Sequence, residues 1–360
     1  MPDGDSVDKL VAKTGLPFPG EVSSIVVNEK LFMKSYLKTL AGKGIVIEDV
    51  RKALSEREYA ENITRLLEKN GLKKDVFEQQ GLTGLFVKVP PGLKLDVPLY
   101  YCFILESPGF YQKILNIIEI GDGAQVTLAK GCAAIVEEGV HSALTLIDVG
   151  RGCDVTSIMV HNWRSKVKVG AKTSVRVEAG SVLREYYVKL TPVDSITLTS
   201  EVHAYEKSRV EIYSSTIGHR RSRVHHNTRV KLEGAGSSAI INVKSVAHDQ
   251  SFIRHNIMLE ALSAETRGHV ECTGLLLGDA VFETIPSLKS ASMDSELTHE
   301  ASLGKIKSDE VFYLMTRGLS EEEATRLIVV GFLSQVYEKL PKQLKEYLLS
   351  ITRLFVSKTL

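Results

Sequence analysis

The spacing of apolar positions changes twice along the chain, and the changes divide it into three parts. Up to about residue 75, apolar residues recur near helical spacing among charges: Leu31, Tyr36, Leu37 and Leu40, then Val50, Leu54, Ile63, Leu66 and Leu67. Proline and glycine at 16 to 20 punctuate this region. From about Leu82 the period shortens to two, in segments rich in valine, isoleucine and threonine such as LFVKV, SALTLIDV, VKVGAKTSVRVEAG and SAIINVKSV, which predicts many short strands. Near Lys307 the helical period returns. Ser320 and Glu323 form a capping-box signature that starts a helix at 321, and Ala324, Leu327, Ile328, Gly331, Phe332 and Val336 follow on one side. Val329, Val330 and Leu333 widen the stripe, leaving room for a second protein to pack there. Pro341 ends this helix, and a last amphipathic one runs through Leu344, Leu348, Leu349 and Leu354. The expected domains are an N-terminal helical domain over 1–80, a strand core over 81–305 and a C-terminal helical domain over 306–360.

The strands repeat. A small residue followed by a strand start recurs at Gly123, Gly152, Gly180, Ser208 and Gly236, at intervals of 29, 28, 28 and 28 residues. A fixed interval of that size signals stacked coils, each burying an inward apolar column against the next. The small residue at the bend relieves crowding or permits unusual backbone angles. The expected fold is mainly β: a right-handed parallel β-helix core flanked by N- and C-terminal α-helical segments.

Composition adds limits. The 360 residues carry 45 basic and 44 acidic side chains, a formal charge of +1, so no global field draws the chain to nucleic acid or to a membrane. The start MPDGDSVDKL lacks the pattern of a secretory signal, and no apolar stretch is long enough to span a bilayer, so a cytoplasmic location is expected. The basic run GHRRSRVHH at 218–226 has no interleaved aromatics and reads as a solvated strand face, with Arg221, Arg223 and His225 on one side and His225 and His226 pointing apart. No GxxxxGK[ST] phosphate loop is present. A β-helix enzyme acting on polysaccharide would need paired carboxylates such as Glu283, Asp294 and Glu296, but only 7% of residues are aromatic, few for sugar platforms.

The four cysteines, Cys102, Cys132, Cys153 and Cys272, are far apart and form no CxxC pair, so a metal would need ligands from distant segments. Cys102 and Cys132 sit among apolar residues and read as core, and Cys153, after Gly152 at a bend, as part-exposed. Cys272 lies in HVECTGLLLGD, and His299 and Glu300 follow about one coil later, which places them beside it in space. Adjacent residues of a strand face opposite ways, so His299 and Glu300 reach one ligand only at a bend or an interface.

These motifs are ordered like those of a known family. Cys272 before LLLGD, then His299-Glu300-Ala301, then FYLMTRGLSEEEA resemble the SufB/SufD scaffolds of iron-sulfur cluster assembly, and VHNW at 160–163 is similar to the QNW of SufB with His161 replacing glutamine. The His-Glu-Ala triplet is closer to the SufB type. The resemblance implies a β-helix core that dimerises, as a homodimer or with a SufB/SufD paralogue, and C-terminal helices that dock a SufC-like ABC-type ATPase. The docking residues would be Phe312, Tyr313, Arg317, Leu319, Leu327, Val330, Phe332 and Leu333. It also implies that Cys272, His299 and Glu300 help build a nascent iron-sulfur cluster while the ATPase hydrolyses ATP, so the chain is a scaffold and not an enzyme. No cysteine follows Asp279 directly and the N-terminus has no cysteine cluster, so one thiolate per chain implies a transient cluster shared with a second chain, exogenous thiols or inorganic sulfide. A SufD-like structural partner that binds the ATPase but no cluster is the alternative.

Overall fold

Strand residues alternate between two faces, so apolar residues at every second position need a second apolar face to close against, and a chain that winds back on itself supplies one, coil after coil. A computed structural model describes residues 24–33 and 42–360, and in it the chain does this. Successive strands pass back and forth between two parallel sheets. The first sheet runs Ser24–Val27, Leu99–Leu105, Gln125–Ala134, Asp154–Asn162, Val182–Lys189, Arg209–Gly218, Ser238–Ala247, Arg267–Leu276 and Glu296–Lys305, with Lys30–Met33 antiparallel at its start. The second runs Leu85–Val89, Tyr111–Ile120, Glu138–Val149, Lys166–Val177, Ser195–Ala204, Arg223–Leu232, Phe252–Ala261 and Val281–Ser290, with Val46–Asp49 antiparallel at its start. The result is a β-helix. Register partners such as Arg209, Ser238, Arg267 and Glu296 stack directly in adjacent coils.

The corners explain the sequence interval and correct one member of it. Gly123, Gly152, Gly180 and Gly236 have φ of 70°, 65°, 70° and 68°, but the fourth corner, between Gly180 and Gly236, is Lys207 (φ 52°), one residue before Ser208, and the column continues after Gly236 with Glu265 (φ 57°). A second corner column holds Arg220, Asp249 and Gly278 at 55°, 62° and 71°. Arg220 and Arg221 thus lie in a turn, and the strand of the basic run begins only at Arg223. His225 and His226 do point apart, with His226 buried inside and the His225 ring against Phe252.

Three apolar clusters hold the molecule together. One fills the β-helix between its two sheets. A second lies between the second sheet's outer face and two helices, α1 (Val50–Ser55) and α2 (Arg57–Lys69), where Ile63, Leu66 and Leu67 meet Phe86, Leu115 and Ile117. The third joins the first sheet's outer face to the C-terminal helices α4 (Glu321–Ser334) and α5 (Lys342–Thr359), while the preceding helix α3 (Ser308–Met315) buries no residue. The capping box at Ser320 and Glu323 is present, and α4 gives way at residue 335 to a short 3-10 turn before Pro341 opens α5. Leu31 lies in an N-terminal strand and not in a helix, because the first sheet captures this segment through Ser24–Val27. Tyr36, Leu37, Leu40 and residues 16 to 20 lie outside the described residues. Leu348 on α5 is fully buried against the first sheet, so Leu348→Ala should cost about 2–5 kcal/mol, seen as a lower denaturation midpoint with the β-sheet signal retained below it.

Candidate functional site

Cys272 sits on the penultimate strand of the first sheet, inside the β-helix, 1% exposed. Parity places it there: Val270 and Cys272 are buried while Glu271 and Thr273 face outward. Register sets Cys272 between Val243 and Ala301, and Val270 opposite His299. His299 therefore shares the inward face of Cys272, two positions diagonally across to the next strand. Glu300 pairs with Glu271 and faces the other way. The structure brings Cys272 and His299 to one face and sets Glu300 on the opposite one.

The coil carrying His299 is the last. Glu296–Lys305 and Val281–Ser290 end their sheets, and His299, Ala301 and Leu303, inward by parity, are exposed because no further coil covers them. Val281 and Ile285 are each half exposed at the same end. Burial pushes the Cys272 thiol pKa up, and the neighbouring Thr284 hydroxyl offsets part of that. Among the described residues no three His, Cys, Asp or Glu side chains converge to hold a metal ion. Glu283 is tied to Arg254 at 2.5 Å on the second sheet, apart from the first-sheet strand that carries Glu296.

The β-helix interior also holds polar groups that the apolar-column reading missed. A cavity of about 140 Å³ is lined by Lys130, Cys132, His161, Glu185, Tyr187 and His226, among others. Cys132 is buried in the apolar core, as expected, and also lines this cavity. The signal was in VTLAKGCA, where Lys130 has the same parity as Leu128 and Cys132 and so must point inward with them. Cys153 is buried and not part-exposed, its sulfur 3.2 Å from the Gly121 carbonyl oxygen. Lys189 is fully buried, donates to the Ile217 carbonyl at 2.6 Å, and is lowered to about 7 by burial.

Burial also lowers His141 to about 4 and His255 and His219 to about 3, from an ordinary value of 6.5. These rings are neutral in the folded chain, whereas the unfolded chain binds protons to them below pH 6.5. Their contribution is complete above that pH and is lost as pH falls from 6.5 towards 3 to 4. Denaturant midpoints should therefore be lower at pH 5 than at pH 7.5, by an amount on the order of a few kcal/mol for the three together.

On the C-terminal helices, Phe312, Tyr313 and Leu327 are 67%, 58% and 53% exposed, and Arg317 stacks over the Tyr313 ring at 5.3 Å. Leu319 is partly covered. Leu333 is fully buried, and its carbonyl accepts from Ser215 at 3.0 Å, so it holds α4 to the β-helix and cannot offer itself to a partner. Val330 and Phe332 are half-turned into the same interface, with Lys244 over the Phe332 ring at 5.2 Å. The wide apolar stripe of α4 is thus largely spent on internal packing.

The family model for the SUF system FeS cluster assembly, SufBD core domain, matches residues 103–332. The chain belongs to the SufBD family. Among its SufBD relatives is an iron-sulfur cluster assembly SufBD family protein of Methanothermobacter thermautotrophicus, 34% identical over 265 residues, or 72% of this chain. The chain spans 65% of the length of that relative. SufBD family proteins of Archaeoglobus fulgidus and Pyrococcus horikoshii are each 29% identical, over 84% and 89% of this chain and 83% and 74% of their own. The SufBD core match covers the strand that carries Cys272, the terminal strand that carries His299, and α3 with most of α4. No helix among the described residues is long and apolar enough to cross a membrane.

Proposed function

We propose that this chain is the scaffold subunit of a SUF-type assembly complex, building a nascent iron-sulfur cluster as cargo at the open end of its β-helix. The observation that carries this is the shared inward face of Cys272 and His299 on the last two strands of the first sheet. A thiolate and an imidazole are suitable iron ligands, and a single chain offers too few of them, so the site is completed by a second chain meeting the exposed end. That chain is a second copy or a paralogue. Glu300, on the outward face, reaches the cargo only where the partner bends the edge or supplies a common surface.

The exposed side chains of α3 and the start of α4 dock an ABC-type ATPase, which supplies ATP hydrolysis. Phe312→Ala with Leu327→Ala should abolish stable co-purification of the ATPase while leaving the melting temperature within a few degrees, because both side chains face solvent. The central test is anaerobic coexpression with that ATPase, followed by iron, acid-labile sulfide and visible absorption. Iron and sulfide in equal amounts with a charge-transfer band support the scaffold reading. The burial of Cys272 favours a second reading, a platform subunit that binds the ATPase and carries no cluster, and a stable complex without iron would establish it.

A further inference from the structure

Helices α1 and α2 cover the start of the second sheet, and α4 and α5 cover the first. Among the described residues no apolar cluster lies on the outward side of the second sheet from Lys166–Val177 onward. That bare face carries a charge the whole chain does not. Its first strand turns Lys166, Lys168, Lys172 and Arg176 outward with no carboxylate, whereas the chain has a formal charge of only +1. The carboxylates of the later strands are already taken: Glu201 by Lys231 at 2.5 Å, Glu260 by Arg229 and Lys289, and Glu283 by Arg254. Arg176 leans over the Tyr205 ring at 4.7 Å. Lys166, Lys168, Lys172 and Arg223 are exposed and meet no carboxylate among the described residues. Lys168, Ser195 and Arg223 are in register on three adjacent strands, so the two cations stand about 10 Å apart, and Lys172 lies about 13 Å from Lys168 along its own strand. Between them are only small side chains, Gly170, Ser195, Thr197 and Thr199.

We propose that this face docks the acidic surface of another protein, whose carboxylates pair with Lys168, Lys172 and Arg223. None of the large exposed apolar residues lies on the three strands from Lys166–Val177 to Arg223–Leu232. The face therefore offers a partner ion pairs and a fast encounter but little apolar area, which makes the complex reversible and sensitive to salt. A nucleic acid fits less well. The Phe252 ring is engaged by His225 at 5.5 Å and by Arg254 at 5.4 Å, which leaves no free ring for a base, and Glu201, Glu260 and Glu283 interrupt any track of phosphates. A membrane surface would find no apolar side chain here to insert. The face is separate from Cys272 and His299 and docks its partner whether or not a cluster forms.

The test is fluorescence anisotropy of labelled poly-L-glutamate, standing in for the acidic surface, titrated with the full chain at low and at high salt. Duplex DNA, phosphatidylserine vesicles and unlabelled poly-L-glutamate serve as competitors. Binding at low salt that fades at high salt is expected, and Lys168→Ser with Lys172→Ser and Arg223→Ser should weaken it by at least about tenfold. These side chains are exposed, so the melting temperature should stay within a few degrees of wild type. A control with Lys342→Ser, Arg353→Ser and Lys358→Ser, exposed on α5, removes the same charge elsewhere and should bind like wild type. Equal loss in the control, no binding at low salt, or displacement by DNA or vesicles at lower concentration than by unlabelled poly-L-glutamate would overturn the assignment.

Discussion

Cys272→Ala, on the scaffold reading proposed above, should leave the chain folded and able to bind the proposed ATPase but reduce iron and acid-labile sulfide in that complex by at least about tenfold, since the remaining donors include no other thiol at that end. Its structural cost is small: alanine fills most of the space of a cysteine, and the loss should be about 1 kcal/mol. The companion substitutions separate geometry from motif. His299→Ala, on the inward face of Cys272, should lower cluster content strongly, whereas Glu300→Ala, opposite Glu271 on the other face, should lower it less. Equal loss for the two would mean that the terminal strand rotates or bends when the complex forms. No loss on Cys272→Ala would support the platform reading.

The second large effect is on stability. Gly234→Ala should cost about 3 kcal/mol, towards the upper end for overpacking, because its methyl would be driven into the backbone nitrogen of Glu206 and the carbonyl carbon of Tyr205 in the preceding coil. Backbone cannot swing aside as a side chain can. Gly236→Ala, two residues on, should cost only about 1 kcal/mol: its Cβ would meet nothing nearer than Lys207 Cγ at 3.4 Å, and the penalty is the left-handed backbone alone. Thermal unfolding of the two variants side by side measures the difference. Near-equal melting temperatures would show that the coils can separate at this corner.

The corner glycines illustrate what was legible in the sequence. The interval of Gly123, Gly152, Gly180 and Gly236 was visible because glycine is the least strained residue at positive φ, and it correctly indicated stacked coils. Ser208 entered the series one residue late because Lys207 takes the left-handed position itself, a tolerance that composition cannot announce. Gly234, which the stack cannot replace, has no special φ and left no mark in the pattern. The placement of Cys272 and His299 on adjacent strands was legible from their spacing of about one coil, and the opposite facing of His299 and Glu300 from strand parity. The polar cavity was not, because an inward lysine or histidine looks in sequence like the outward residue of a slipped register. Leu333 was assigned to a partner surface since an apolar stripe does not say which of two bodies covers it; the first sheet does. The strands Ser24–Val27 and Lys30–Met33 were missed because four-residue strands are too short for a period to be read.

The uncovered last coil has a consequence for how the chain behaves before assembly. A sheet edge with free N–H and C=O groups is a template on which any extended segment can pair, so this uncovered edge is an aggregation hazard. Its edge sequence, ELTHEASLGK, carries Glu296, Glu300 and Lys305, charges that discourage casual pairing. The same ten residues therefore act as a gatekeeper, and replacing their charges with apolar residues should surface first as aggregation of the folded chain.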